Sequence, residues 1–166
     1  TQGRKYLDAL AGVAVCGLGH AHPEIAKAIC DQAGKLLHTS NWYEIPLQAE
    51  LAEKLCKKAG MDNVFFCNSG AEANECALKL ARKWAGHGRH VVVSAFGSFH
   101  GRPLATLHAT GQPQKHEAFQ PLPEGFRHVD RNDVEALEAA LDPTVAAVLL
   151  EPVQGDLPEV VGVDPQ

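Results

Sequence analysis

Several features that would announce a function at once are missing from this sequence. Its five cysteines (Cys16, Cys30, Cys56, Cys67, Cys76) are an odd number and no two form Cys-x-x-Cys. Neither a closed disulfide framework nor a zinc knuckle is expected, and the thiols read as reduced and mostly buried. No apolar run approaches the roughly 20 residues of a membrane helix. The opening Thr1-Gln2-Gly3-Arg4-Lys5 lacks the apolar core of a signal peptide, so a cytoplasmic setting is the default expectation. Basic residues are outnumbered, with 15 Lys and Arg against 20 Asp and Glu and a net charge of -5. Without a basic face a polyanion is poorly held, so nucleic acid is not an expected partner and small molecules are. There are no repeats, no Gly-Lys-Ser/Thr phosphate loop and no Gly-x-Gly-x-x-Gly fingerprint. Nine histidines are many for this length, but His20-x-His22 has no Glu or Cys set at zinc spacing, and no metal site is expected.

The 166 residues, 45% hydrophobic and 21% charged, suffice for one globular core, with no internal boundary in composition. Pro23 opens an amphipathic helix with Ile25, Ile29, Ala33 and Leu36 on one stripe, and Pro46 a second with Leu47, Leu51 and Leu55. The run Asn63–Cys67 reads as a strand, followed by a tight turn and a helix striped by Ala73, Ala77, Leu80 and Trp84. Val91-Val92-Val93 reads as a strand leading into a Gly-containing loop from Phe96 to about Gly111. Asn132 and Glu135 suggest a capping box opening a helix with Val134, Leu137 and Leu141, before a fully apolar, central strand from Val145 to Leu150. Apolar strands alternating with amphipathic helices predict an α/β fold, a mostly parallel sheet with helices on both faces. Ligands in such sheets bind beyond the carboxyl ends of the strands.

Three segments fall at those ends. In Asn68-Ser69-Gly70-Ala71-Glu72-Ala73-Asn74 the first N–H groups of a helix lack intrahelical partners, and Gly70 lets an anion such as a phosphate approach; Ser69 and Glu72 equally form a capping box that needs no ligand. In Phe99-His100-Gly101-Arg102 an aromatic ring and a guanidinium stand close together; Phe99 could stack on a flat ligand and Arg102 could grip a carboxylate, or they could fill core and meet solvent. Glu151-Pro152-Val153-Gln154-Gly155 places an acid at a strand end, as a site residue or as a cap on the sheet edge.

Taken in order, and with Gly111-Gln112-Pro113, these motifs resemble the class III, fold-type I, pyridoxal-phosphate-dependent aminotransferases. Leu18-Gly19-His20-Ala21-His22-Pro23 and Phe119-Gln120-Pro121-Leu122-Pro123 make the chain most similar to the acetylornithine and succinylornithine branch. The resemblance implies that Gly70 and Ala71 hold the phosphate of pyridoxal 5'-phosphate, that Phe99 stacks on its ring and that Arg102 binds the substrate α-carboxylate. His100 and Glu151 would line the pocket. It implies a homodimer that moves the terminal amino group of N-acetylornithine to 2-oxoglutarate in arginine biosynthesis. Other class III enzymes, such as succinylornithine or 4-aminobutyrate aminotransferases, and a non-catalytic anion-binding module remain alternatives. None of the nine lysines stands in a context like that of the Schiff-base lysine. Residues 1–166 are therefore expected to be the amino-terminal segment and first part of the large domain, inactive alone. After Gly155 the family's usual Glu-Gly-Gly is replaced by Asp156-Leu157-Pro158-Glu159.

Overall fold

The computed structural model describes residues 2–155 and 161–162. Asp156 to Glu159 lie outside the described residues. The chain divides into two compact units, Thr1–Val64 and Phe65–Gln166.

The first unit holds a short irregular turn α1 (Ala11–Ala14) and helices α2 (Pro23–Ala33) and α3 (Pro46–Ala59). Both helices begin with proline at the first position, where a missing N–H costs nothing. Gly60, in the left-handed region at φ 66°, ends α3 by donating its N–H to the Cys56 carbonyl. The stripe on α3 forms and that on α2 runs as far as Ala33, Leu36 lying beyond the Gly34 cap; no residue from 2 to 64 is buried.

The second unit contains α4 (Gly70–Ala85), β1 (Val91–Ala95), α5 (Leu104–Ala109), β2 (Phe126–Val129), α6 (Val134–Ala140) and β3 (Val145–Leu149). A two-residue pairing of β4 (Val153–Gln154) with β5 (Val161–Gly162) follows. β1 is the central strand, parallel to β2 on one side and β3 on the other. Its alternating side chains serve two layers. Val91 and Val93 pack with Val145, Val129, Leu137 and Ala140, the last two on α6. On the opposite face Ser94 Oγ donates to the Ala109 carbonyl at the end of α5. Helices thus cover both faces of a parallel sheet, as the α/β reading expects.

Six details differ. Asn63–Cys67 is not a paired strand: both edges of β1 are already occupied, and Phe65 is 63% exposed. β3 is an edge strand among the described residues, not a central one, with Val148 39% exposed. The loop from Phe96 to Gly111 contains α5, six residues and too short to show a period. On α4 the covered face is Ala71, Asn74, Leu78 and Ala81, whereas Leu80 and Trp84 point outward. The cap of α6 is Asp133, which accepts the Ala136 N–H at 2.8 Å; Asn132 instead makes the left-handed turn before it. All five cysteines are free, but none is buried, because Cys16, Cys56 and Cys76 are half-buried and Cys30 and Cys67 exposed. Among the described residues, no helix is long and apolar enough to cross a membrane.

Candidate active site

α4 starts at an open groove. Ser69 is its cap, extended at φ -153°, and Ser69 Oγ accepts the Glu72 N–H at 3.3 Å. The Glu72 carboxylate reaches back to accept the Asn68 N–H at 2.6 Å. Hydrogen bonds from Asn68, side chain first and then backbone, hold the Glu72 carboxyl below its ordinary value. The capping box therefore forms, with its return bond on Asn68. Gly70 and Ala71 occupy the first two helical positions, whose N–H groups have no intrahelical acceptor. A Cβ on Gly70 would meet nothing within 4 Å, so the approach to those donors is open. The helix dipole makes this end favourable to an anion.

The loop after β1 is not part of a ladder, and its backbone groups must find other partners. The Gly97 and Ser98 N–H groups donate to the Gly111 and Ala95 carbonyls, and side chains supply several of the rest. Ser98, fully buried, donates through Oγ to the Ala95 carbonyl at 2.7 Å and accepts the Gly111 N–H at 3.1 Å. Gly111 bridges to Phe96, and a Cβ there would lie 2.1 Å from the Ala95 carbonyl oxygen. The Phe99 N–H donates to Glu151 Oε2 at 2.9 Å, and the His100 N–H donates to Thr110 Oγ1 at 2.9 Å. Asn74 Nδ2 donates to the His100 carbonyl at 2.8 Å, and Glu75 Oε1 accepts the Thr106 N–H at 3.0 Å. Gly101, at φ +139°, has no space for a Cβ, which would stand 2.6 Å from Thr106 Oγ1 and 2.9 Å from Ala71 Cβ. The loop is thereby pressed against the first turn of α4.

The outcome is one groove of about 410 Å³ lined by Gly70, Ala71, Asn74, Phe99, Gly101 and Arg102, among others. All four cofactor- and substrate-site residues expected from sequence thus meet at one place. Phe99 is half-buried with the Lys115 ammonium 5.0 Å from its ring centroid, and Arg102 is exposed. His100 is 4% exposed with Nε2 unpartnered; burial, and secondarily His128, push its imidazole down to about 4, so it is neutral at physiological pH. Glu151 accepts the Phe99 N–H but, against what the resemblance implied, does not line this groove; it lines a separate pocket with Ala95, Val129 and Leu150, while His100 lines the groove. Asn74, Glu75 and Thr110 were not singled out by the sequence reading. The signal for Asn74 was a poor helix former one turn inside a helix, in line with Ala71 and Leu78.

A parallel sheet flanked by helices is the architecture of the large domain of a fold-type I pyridoxal-phosphate enzyme. The chain belongs to the aminotransferase class-III family, whose model matches residues 1–161 and whose cofactor is pyridoxal 5'-phosphate. Among curated relatives, the acetylornithine aminotransferase of Gloeobacter violaceus is 52% identical over 160 residues, covering 94% of this chain and 40% of the relative. That of Methanothermobacter thermautotrophicus is 53% identical over 155 residues, 93% of this chain and 39% of the relative. In solved structures, the ornithine aminotransferase of Toxoplasma gondii, with partial occupancy of pyridoxal phosphate at its active site, superposes with TM-score 0.86. It has 36% identity, over 92% of this chain and 38% of that one. The chain thus spans about 40% of the length of the relatives it matches.

Proposed function

We propose that the complete protein transfers the terminal amino group of N-acetylornithine to 2-oxoglutarate with pyridoxal 5'-phosphate, and that this chain supplies the phosphate, ring and carboxylate contacts. The observation that carries the reading is the convergence of Gly70, Ala71, Phe99 and Arg102 on one groove. The chemistry of the donor set fits the cofactor. Two backbone N–H groups without intrahelical acceptors, at the positive end of a 16-residue helix, suit a phosphate. The Phe99 ring offers a face for a planar heterocycle, and the exposed guanidinium of Arg102 suits the α-carboxylate of an acylated amino acid. Neutral His100 adds no competing cation at this wall. The bound cofactor supplies an electron sink, and the protein's part is to orient it and its substrate. The acetylornithine branch is supported by relatives of that name at about half identity.

None of the lysines lines the groove, and on this reading the lysine that anchors the cofactor is none of the nine. The complete protein acts as a homodimer on the same reading, and the uncovered apolar stripes of α2 and α3 support such a cover. Separating the two roles tests the proposal. In the complete protein, Arg102→Ala should weaken use of N-acetylornithine by about 2 to 5 kcal/mol while cofactor affinity changes little, because a desolvated carboxylate loses its bidentate partner. Phe99→Ala should first loosen the cofactor, read by equilibrium titration. Equal effects of both changes on cofactor affinity alone would refute the division.

A further inference from the structure

We infer that Asn74 is a positioning residue: its carboxamide, donating to the His100 carbonyl, fixes the Phe99 ring relative to the N–H groups of Gly70 and Ala71, so that one rigid ligand engages both. The inference rests on reading the groove as the cofactor site. Gly97 and Ser98 donate their N–H groups to backbone carbonyls, but the Phe99 N–H and both backbone groups of His100 are met by side chains, three in all. Glu151, just beyond β3, takes the Phe99 N–H. Thr110, just beyond α5, takes the His100 N–H. Both tie the loop to the sheet scaffold. Asn74 alone of the three belongs to α4, the helix that also presents Gly70 and Ala71.

Asn74 lies three and four residues beyond Ala71 and Gly70, on the same helix face one turn along. Its contact spans 26 residues of sequence and is partly buried. A carbonyl only accepts, so the bond requires the amide nitrogen, and no isosteric carboxylate can replace it. Gly101, which meets Ala71 without a Cβ, makes the approach sterically possible, and Asn74 sets its register. A ligand whose phosphate and ring are joined by a short linker gains its second contact only if the two anchors are already at the right separation.

The test uses the complete, cofactor-free protein titrated with pyridoxal 5'-phosphate and, separately, with inorganic phosphate, alongside thermal melts. Asn74→Ala and Asn74→Asp should each weaken pyridoxal-phosphate binding about tenfold and change inorganic-phosphate binding by less than about twofold. Asn74→Gln, which keeps a donor, should fall between these variants and the wild type. In a Phe99→Ala background Asn74→Ala should add less than about twofold, because the ring it positions is gone. Wild-type affinity for pyridoxal phosphate in Asn74→Asp would overturn the inference. So would equal weakening of both ligands with a matching loss of melting temperature, which would mark a structural role. A wild-type protein that failed to bind pyridoxal phosphate would overturn the reading of the groove and the inference with it.

Discussion

In Thr1–Val64 the helices α2 and α3 carry apolar stripes at helical spacing, yet Ile25, Ile29, Leu47, Leu51 and Leu55 are 41% to 64% exposed. In Phe65–Gln166 strand β1 is buried along its whole length, with Val92 and Val93 at 0%. A stripe states which face of a helix seeks cover, not that the same stretch of chain provides it. A parallel sheet supplies its own neighbours, because each strand is paired edge to edge and covered by the helices that connect it. Isolated helices of 11 and 14 residues are marginal in water. Order in the first unit therefore depends on whatever covers those stripes, while the second unit holds the groove on a core of its own.

The largest contrast should come from substitutions that probe burial in each unit. Gly111→Ala forces a Cβ to within 2.1 Å of a backbone oxygen, and neither side can yield. It should cost more than about 4 kcal/mol or prevent folding of the second unit. Val93→Ala should cost about 2 kcal/mol by leaving a cavity in the sheet core. Leu51→Ala, 48% exposed, should cost less than about 1 kcal/mol. Urea denaturation followed by circular dichroism ranks the three. A Leu51→Ala loss matching that of Val93→Ala would abolish the contrast.

A smaller effect separates the units by pH. The rings of His108, His116 and His128 stand 5.7 to 6.1 Å apart, and burial is the first cause lowering His128. His100 is held at about 4 against an ordinary 6.5, so the unfolded chain binds its proton first on acidification. The contribution is complete above about pH 6.5 and is lost as pH falls toward 4, in the second unit only. The shifted groups of the first unit, Asp8, Glu50 and Lys54, are solvated ion-pair members. Segment-resolved amide exchange from pH 7 to 4.5 should show the loop after β1 loosening, and His100→Gln should flatten that slope. An unchanged slope in His100→Gln would show that His100 is not the titrating group.

Local chemistry was legible in the sequence. Proline at Pro23 and Pro46 and the Ser69 cap act within one turn, and these helices begin where expected. Phe99 and Arg102 were readable because they follow β1 beyond its carboxyl end, and Gly70 and Ala71 because the Ser69 cap marks the start of α4. What escaped was decided at long range. Asn63–Cys67 has the composition of a strand, but pairing needs a free edge. On α4 the sheet and loop took the face with Ala71, Asn74 and Leu78, because close approach to Gly101 needs small side chains; hydrophobicity alone favoured Leu80 and Trp84. The Asn74 bond joins residues whose proximity no spacing rule indicates.

The most direct test of the groove is hydrogen exchange of the complete protein, cofactor-free and then saturated with pyridoxal 5'-phosphate. A cofactor held in this groove should slow exchange most at the amides of residues 69–74 and 97–103, with α2 little changed. Unaltered exchange in both segments at saturating cofactor, with protection elsewhere in the chain, would contradict it.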